Sequence, residues 1–116
     1  MAIYCDASYN SNGATIGVYI QNVCSKFKRI EAKDSGHAER QAIQWAMIIG
    51  WQNGIIDTVY SDCLPMVNKI MGEGNSGSKT IKRIKQMMRQ HGFRVKWKPR
   101  KTRKMRVADS ISRRYA

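Results

Sequence analysis

The residue with the clearest chemical implication is a carboxylate inside an apolar stretch. Asp6 lies in the middle of the run Ile3 to Asn10 (IYCDASYN), which then leads into Asn and Gly turn residues. Burying an ionised Asp costs on the order of several kcal/mol unless a cation or a hydrogen-bond donor meets it. We interpret the partner of Asp6 as a metal ion. The alternative is an Asp at a strand end that accepts hydrogen bonds from turn amides.

Three other acids are candidates for the same site. Asp62 ends the short apolar segment IIDTVYSD, which we interpret as a central strand, and ligands bind at the carboxyl ends of strands in open α/β sheets. Glu39 falls in the first predicted helix and Asp109 in the last. The chain has eight acids against 21 Lys and Arg. Four acids on elements that converge at one sheet edge would be unexpected for surface carboxylates.

The positive charge is concentrated in the C-terminal third. Residues 79–116 hold 15 Lys or Arg and a single acid, Asp109, whereas residues 1–78 hold six bases and seven acids, for a total of +13. Such an asymmetric excess suits a polyanion, because each neutralised phosphate releases counterions. The tract KWKPRKTRKMR also interleaves Trp97 with its charges. We therefore predict a nucleic-acid partner; a solvated basic surface or an arm that binds acidic proteins is the alternative.

Length and cysteine usage limit the class of protein. At 116 residues the chain predicts one domain spanning residues 1–116. It has neither a membrane-spanning apolar run nor a secretion signal, so a cytoplasmic monomer without membrane contact is expected. Cys5, Cys24 and Cys63 lack the spacing of a zinc site and are an odd number, so we interpret them as reduced thiols.

The periodicity of apolar residues predicts the elements. Three strands, MAIYCDASY, TIGVYIQNV and SKFKRIEAK, form an antiparallel meander, with Asn12-Gly13 as a hairpin turn. A helix over about residues 36–52 follows, with Ser35 as N-cap and with Trp45 and Trp51 in the core.

The remaining segments alternate between helices and strands. After the strand IIDTVYSD come a short helix LPMVNKIMG, a flexible break GEGNSGS, a basic helix SKTIKRIKQMMRQHG, a strand FRVKWKP, a basic loop PRKTRKMR and a last helix RVADSISRRYA. This order predicts an α/β fold in which the later strands pair in parallel through helical crossovers.

Four motifs in this order carry a family resemblance. D-A-S in the first strand, H-A-E in the first helix, Y-S-D at the end of the fourth strand and A-D-S-I-S in the last helix resemble type 1 ribonuclease H over nearly the whole chain. The resemblance implies a ribonuclease H-like five-stranded mixed sheet, three antiparallel strands then two parallel ones, with helices on both faces. It assigns catalysis and metal binding to Asp6, Glu39, Asp62 and Asp109.

The resemblance also implies a reaction. Members of this family are endonucleases that hydrolyse the RNA strand of RNA/DNA hybrids with two Mg²⁺ ions, about 4 Å apart, for which Mn²⁺ can substitute. By similarity, Asp6 would bridge both ions and Asp62 would hold the ion near the attacking water. Glu39 and Asp109 would complete the coordination.

Substrate contacts are expected from the segment after Asp6 and from the basic C-terminal region. The residues assigned to substrate binding are Ala7, Ser8, Tyr9, Asn10, Lys98, Arg100, Lys101, Arg103 and Lys104. Ser8, Tyr9 and Asn10 are candidates for contact with the 2′-hydroxyl that distinguishes RNA from DNA.

Three departures from the family pattern leave other functions open. Ala7 stands where the family commonly has Gly, Cys63 stands where many members have Ser or Thr, and the loop PRKTRKMR lacks the His that bacterial members often place there. The alternatives are a catalytically weak or inactive nucleic-acid-binding module of the same fold, or a structure-specific DNA nuclease or resolvase.

Overall fold

The predicted order of elements is present in the folded chain. A computed structural model describes residues 1–72, 78–100 and 103–114, except the side chains of residues 103, 104, 106 and 112–114. The elements are β1 (Ile3–Asn10), β2 (Gly13–Ile20), β3 (Cys24–Ile30), α1 (Ser35–Gln52), β4 (Thr58–Ser61), α2 (Leu64–Met71), α3 (Lys79–His91), β5 (Arg94–Trp97) and α4 (Arg103–Arg114). Most of the predicted glycine-rich break, residues 73–77, lies outside the described residues.

The strands form one five-stranded mixed sheet in the order β3-β2-β1-β4-β5. β1, β2 and β3 pair antiparallel, and β4 pairs in parallel with β1 and with β5. This arrangement confirms the predicted α/β fold. It also makes β1 a central strand with neighbours on both sides, which is why its apolar run is almost continuous.

The hairpin between β1 and β2 forms where Asn12-Gly13 predicts it. Asn10 pairs with Gly13 across the turn, and the Asn12 amide donates to Asn10 Oδ1 at 2.9 Å. Gly13 has a φ of 118°, a conformation that residues with a Cβ rarely adopt. The turn fixes the register that sends Ile16, Val18 and Ile20 to one face of the sheet, where all three are buried.

Helices cover the two faces of the sheet unequally. On one face, α1, α2 and α3 pack against the strands in the larger core, which includes Ile3, Ile16, Ile43, Ile81 and Phe93. On the other face α4 packs on β1 and β2. Among the described side chains, the small core there consists of Tyr4, Met105 and Ala108, with Ala2, Tyr19 and Tyr60 packed against it.

The end of α1 lies unusually close to β1 at Gly50. A Cβ atom on Gly50 would come within 2.6 Å of Ile3 Cδ1 and 2.7 Å of the Ile55 carbonyl oxygen. The Ile55 amide donates to the Gly50 carbonyl oxygen at 2.7 Å. Glycine at this position therefore lets the helix and its following turn pack directly on the first strand.

Three details differ from the sequence-based expectations. The N-cap of α1 is Asp34, whose side chain accepts from the His37 amide, rather than Ser35; either side chain can cap, and the helix begins one residue earlier than predicted. Trp51, on the last turn of α1, is 56% exposed rather than buried in the core, and its ring centroid lies 6.3 Å from that of His91. The segment predicted as the loop PRKTRKMR is partly helical, because α4 begins at Arg103.

None of the helices within the described ranges is both long and apolar enough to cross a lipid bilayer.

Candidate active site

Strand register brings Asp6 and Asp62 together. In the parallel pair of β1 and β4, Ile3 lies opposite Val59 and Tyr4 lies opposite Tyr60. The same offset continued by two residues places Asp62, the first residue after β4, beside Asp6. Parallel pairing thus makes a residue 56 positions away in sequence a lateral neighbour of Asp6.

The turn after β4 holds Asp62 in place from three sides. Ser61, which is fully buried, accepts a hydrogen bond through Oγ from the Cys63 amide at 3.1 Å. Trp97 Nε1 donates to the Asp62 carbonyl oxygen at 3.2 Å, and the Lys98 amide donates to the Ser61 carbonyl oxygen at 3.0 Å. The end of β5 thus fixes the backbone that carries Asp62.

Helices on opposite faces of the sheet supply the other two carboxylates. Glu39 lies in the second turn of α1, three and four residues before the buried Ala42 and Ile43, so it continues the stripe that packs on the sheet. Asp109 lies four residues after the buried Met105 in α4, so it shares the buried face of that helix. Its side chain is 19% exposed.

Carboxylate oxygens from three elements converge within a few ångströms. One oxygen each from Asp6, Glu39 and Asp62 lies within 4.8 Å of the others. A side-chain hydrogen bond links Asp109 to Asp6. We call these four residues the acidic cluster. The structure thus brings Asp6, Glu39 and Asp62 together near the carboxyl end of β4, and Asp109 joins them through its hydrogen bond with Asp6.

One guanidinium contacts the acidic cluster. Arg100 Nε donates to Asp62 Oδ2 at 2.7 Å and lies 3.7 Å from Asp109 Oδ1. The Asp62 side chain is only 5% exposed and that of Asp109 is 19% exposed, whereas that of Arg100 is 51% exposed. Among the described side chains, the Arg100 guanidinium thus brings a positive charge to the cluster from the surface.

Burial makes the ionised form of two of these acids costly. It raises the pKa of Asp6 to about 9, and the hydrogen bond that the protonated Asp6 donates to Asp109 and the negative charges of Glu39 and Asp62 act in the same direction. Burial likewise raises the pKa of Glu39 to about 8; Asp62 adds to this shift and Arg100 opposes it. A bound cation would stabilise the ionised forms and reverse both shifts.

The acidic cluster has the ligand chemistry of a site for a hard divalent cation. Carboxylate oxygens are the ligands that Mg²⁺ prefers. The buried Oε2 of Glu39 has no hydrogen-bond partner among the described residues, although buried polar atoms are normally satisfied. The residues present therefore fit a divalent metal ion.

The predicted substrate contacts of β1 lie beside the cluster at the end of that strand. Ala7 packs against the larger core, and Ser8 is half-buried. The Tyr9 hydroxyl donates to the Lys33 carbonyl oxygen at 3.2 Å, which ties β1 to the segment before α1. Asn10 is exposed. Their proposed contact with substrate remains a prediction.

The basic residues that were predicted to contact substrate have different surroundings in the structure. Arg100 contacts the acidic cluster, whereas Lys98 Nζ lies over the rings of Tyr60 and Tyr4, 4.7 and 5.6 Å from their centroids. Lys101 lies outside the described residues. Arg103 and Lys104 begin α4, and their side chains also lie outside the description.

Sequence reasoning missed two partners of Asp62. It assigned Arg100 to substrate alone and considered Trp97 only as a core or substrate-stacking residue. These residues lie 38 and 35 positions from Asp62, so no local spacing could reveal the contacts. The pairing of Ser61 with Trp97 in the parallel strands is the feature that would have predicted them.

Sheet order, crossovers and the acidic cluster together define a ribonuclease H-like fold. Two solved structures share it: RNase H1 from the halophilic archaeon Halobacterium salinarum NRC-1, 18% identical over 95% of each chain with a TM-score of 0.70, and LC11-RNase H1 isolated from compost by a metagenomic approach. The latter is 17% identical, covering 98% of this chain and 96% of that one, with a TM-score of 0.71.

The family is shown by a match of nearly the full length. The chain belongs to the family described as reverse transcriptase-like, whose model matches residues 4–115. No protein with a curated function matches the sequence at a significant level. The family match and the shared fold confirm the resemblance to type 1 ribonuclease H, and they support a nuclease of the ribonuclease H kind.

Proposed function

We propose that this protein is an endonuclease that hydrolyses the RNA strand of RNA/DNA hybrids with the help of divalent metal ions. The observation that carries the proposal is the convergence of Asp6, Glu39 and Asp62, whose carboxylate oxygens lie within 4.8 Å of one another. Packing buried carboxylates together opposes folding unless they serve a bound cation. Such a cost is typical of a functional site.

In this proposal the acidic cluster holds two Mg²⁺ ions, or Mn²⁺ in their place. When bound, such ions supply an activated water and relief of negative charge on the leaving oxygen. Asp6 is the most deeply buried of the four and lies between Glu39, Asp62 and Asp109, so we assign it the central ligand position. The other three acids complete the ligand set.

The substrate would be held by positive charge and by the end of β1. Exposed bases line α3 and β5, and they are Lys79, Lys82, Arg83, Arg89, Arg94 and Lys96. Each base that neutralises a phosphate adds affinity independent of sequence. Ser8, Tyr9 and Asn10 follow Asp6 in β1 and are the proposed contacts with the 2′-hydroxyl. Contact with this hydroxyl would favour a hybrid over duplex DNA.

The test uses a hybrid whose RNA strand is labelled at its 5′ end, incubated with Mg²⁺. Asp6→Asn should lower the cleavage rate by at least about 10³-fold, because a neutral amide binds Mg²⁺ far more weakly than a carboxylate. Glu39→Gln and Glu31→Gln form a matched pair, since Glu31 is exposed and lies outside the cluster. Only the first should impair cleavage. If the wild-type chain cleaves no faster than Asp6→Asn, the proposal fails.

A second candidate is a nucleic-acid-binding module that has lost catalysis. The specific observation in its favour is Arg100, whose guanidinium already neutralises part of the acidic cluster at 2.7 Å from Asp62. This candidate predicts salt-sensitive binding of the hybrid without cleavage at any Mg²⁺ or Mn²⁺ concentration. Cleavage of a branched DNA by a preparation inert on hybrids would instead identify a structure-specific DNA nuclease.

A further inference from the structure

Arg100 places a positive charge on the carboxylates proposed to bind metal. Its Nε donates to Asp62 Oδ2 at 2.7 Å and lies 3.7 Å from Asp109 Oδ1. A charge-assisted hydrogen bond of this length is among the stronger polar contacts in proteins. The contact is therefore a defined interaction with the acidic cluster rather than a remote charge effect.

The contact is one that can break without disturbing the core. The Arg100 side chain is 51% exposed, whereas that of Asp62 is 5% exposed. Arg100 follows Pro99 after the end of β5 and lies in a turn outside every helix and strand. Removing the guanidinium from Asp62 would thus expose a carboxylate but would leave every packed apolar side chain in place.

A divalent ion and this guanidinium compete for the same oxygens. A metal held by Asp62 and Asp109 would lie close to Arg100, and two positive charges at short range repel each other. A ligand can bind only to the molecules from which the resident group has left. Its apparent affinity is the intrinsic affinity multiplied by the fraction of those molecules. The strength of the Arg100 contact therefore sets the apparent metal affinity.

We propose that Arg100 is a resident counter-ion of the acidic cluster, which competes with the divalent metal for Asp62 and Asp109 and is released to a substrate phosphate when the metal binds. The inference rests on the proposed function. It makes Arg100 a positioning residue that couples metal occupancy to nucleic-acid binding. The two effects have opposite signs: without Arg100, metal binding becomes tighter and binding of the hybrid becomes weaker.

The experiment is calorimetric titration of the protein with Mn²⁺, without substrate, for the wild type, Arg100→Gln, Arg100→Lys and Lys96→Gln. Arg100→Gln should tighten Mn²⁺ binding by about three- to tenfold, the range for losing a charged hydrogen bond that is exposed at one end. Arg100→Lys keeps the charge and should stay within about twofold of the wild type. Lys96→Gln, which removes an exposed charge from β5, should change the affinity by less than about twofold.

Thermal unfolding gives an independent readout. The increase in Tm on adding saturating Mn²⁺ should be larger for Arg100→Gln than for the wild type, because the metal then displaces no resident cation. Affinity for the hybrid, measured by fluorescence anisotropy at fixed salt, should fall for Arg100→Gln in the presence of the metal.

Equal or weaker Mn²⁺ binding by Arg100→Gln, with a wild type that binds the metal, would overturn the counter-ion role and leave the proposed function standing. If neither the wild type nor Arg100→Gln binds Mn²⁺, the proposed function fails as well. Weaker Mn²⁺ binding by Arg100→Gln together with a lower Tm in metal-free buffer would show that Arg100 orders the carboxylates instead.

Discussion

The two faces of the sheet differ in how firmly they hold the acidic cluster. Asp6 belongs to the central strand β1, Asp62 directly follows the central strand β4, and Glu39 belongs to α1, which packs into the larger core with α2 and α3. Asp109 belongs to α4, which packs on the small core of Tyr4, Met105 and Ala108 among the described side chains. Three carboxylates are thus fixed by one face and by strand pairing, and one by the other face.

This difference indicates that the carboxylates of the site have different roles in metal binding and in turnover. Asp6, Glu39 and Asp62 form the mutually close group, whereas Asp109 is 19% exposed and lies 3.7 Å from Arg100. Strand pairing and a large packed core restrict movement more than the contacts of a single helix with a small core. We therefore expect the paired strands and α1 to determine whether metal binds, and α4 to adjust occupancy and turnover.

The largest expected effect on the cleavage rate comes from removing one carboxylate at a time, first Asp62 of the close group and then Asp109 of α4. Asp62→Asn should lower the rate of hybrid cleavage by at least about 10³-fold, because it removes a ligand of the close group. Asp109→Asn should lower it by about tenfold, since its carboxylate reaches the cluster through Asp6 and Arg100. Steady-state kinetics at saturating Mg²⁺ measure both. Equal losses in the two variants would remove the proposed difference between the faces.

Core truncations should separate stability from activity. Ile43→Ala in α1 should lower the free energy of unfolding by about 3–4 kcal/mol, because Ile43 is fully buried in the larger core. Met105→Ala in α4 should cost less, about 2 kcal/mol, because the surrounding core is smaller. Urea unfolding measures both values.

The two truncated variants should rank differently in activity: the variant that loses less stability, Met105→Ala, should lose more activity. At a temperature where both variants are folded, Met105→Ala should impair cleavage more than Ile43→Ala, since α4 carries Asp109. A result in which Ile43→Ala loses more activity than Met105→Ala would contradict the assignment of turnover to the α4 face. Circular dichroism checks that each variant is folded under the assay conditions.

The pKa shifts predict how pH and metal together affect stability. The folded pKa values of Asp6 and Glu39, about 9 and about 8, lie above their ordinary values of 3.8 and 4.5. At pH values between the ordinary and the folded pKa of each acid, the metal-free folded chain holds a proton that the unfolded chain has released. The free energy of unfolding therefore falls as pH rises. From pH 6 to pH 8 the free energy of unfolding should decrease by up to about 5 kcal/mol, since each of the two groups contributes about 1.4 kcal/mol per pH unit.

Metal should reverse this dependence. Bound Mg²⁺ requires ionised ligands, so its affinity increases with pH. Urea unfolding in EDTA and in Mg²⁺ at pH 6 and pH 8 tests the sign. The double variant Asp6→Asn, Glu39→Gln is the control, because it should lose the effect of pH that these two acids cause. Equal stability of the metal-free wild type at both pH values would contradict the burial of these acids.

The smallest expected effect concerns the hydrogen bond from β5 to the Asp62 backbone. Trp97→Phe keeps the aromatic ring but removes the donor to the Asp62 carbonyl oxygen, at a cost of about 1 kcal/mol. The apparent Mg²⁺ affinity should fall by about two- to fivefold, while Phe27→Leu, a change of an exposed aromatic residue on β3, should leave it unchanged. Mg²⁺ titration of cleavage activity measures this difference.

Much of the fold was predictable because its signals are local. The alternation of Ile16, Val18 and Ile20 and the Asn12-Gly13 turn determine the first hairpin, and the spacing of Ala42, Ala46 and Ile49 determines α1. The end of α1 at residue 52 was predicted correctly, but the burial of Trp51 was not, because helical spacing placed it in the core whereas its side chain is 56% exposed.

The candidate site was predictable only in part. Asp6 stands out because an acid in an apolar strand needs a partner, and the motifs around Glu39, Asp62 and Asp109 identified the rest through the family resemblance. The contact of Arg100 with Asp62 depends on parallel pairing between β4 and β5 and on the turn that follows, and nonlocal pairing leaves no periodic trace in sequence.

Titration of the metal-free chain with Mg²⁺ by calorimetry, at pH 7.5 in two buffers of different ionisation enthalpy, tests the metal site most directly. Saturable binding accompanied by proton release is expected for the wild type, since the metal replaces protons on Asp6 and Glu39. Binding by Asp6→Asn should be at least about tenfold weaker. The absence of Mg²⁺ binding by the wild type, or equal affinity in Asp6→Asn, would contradict the account.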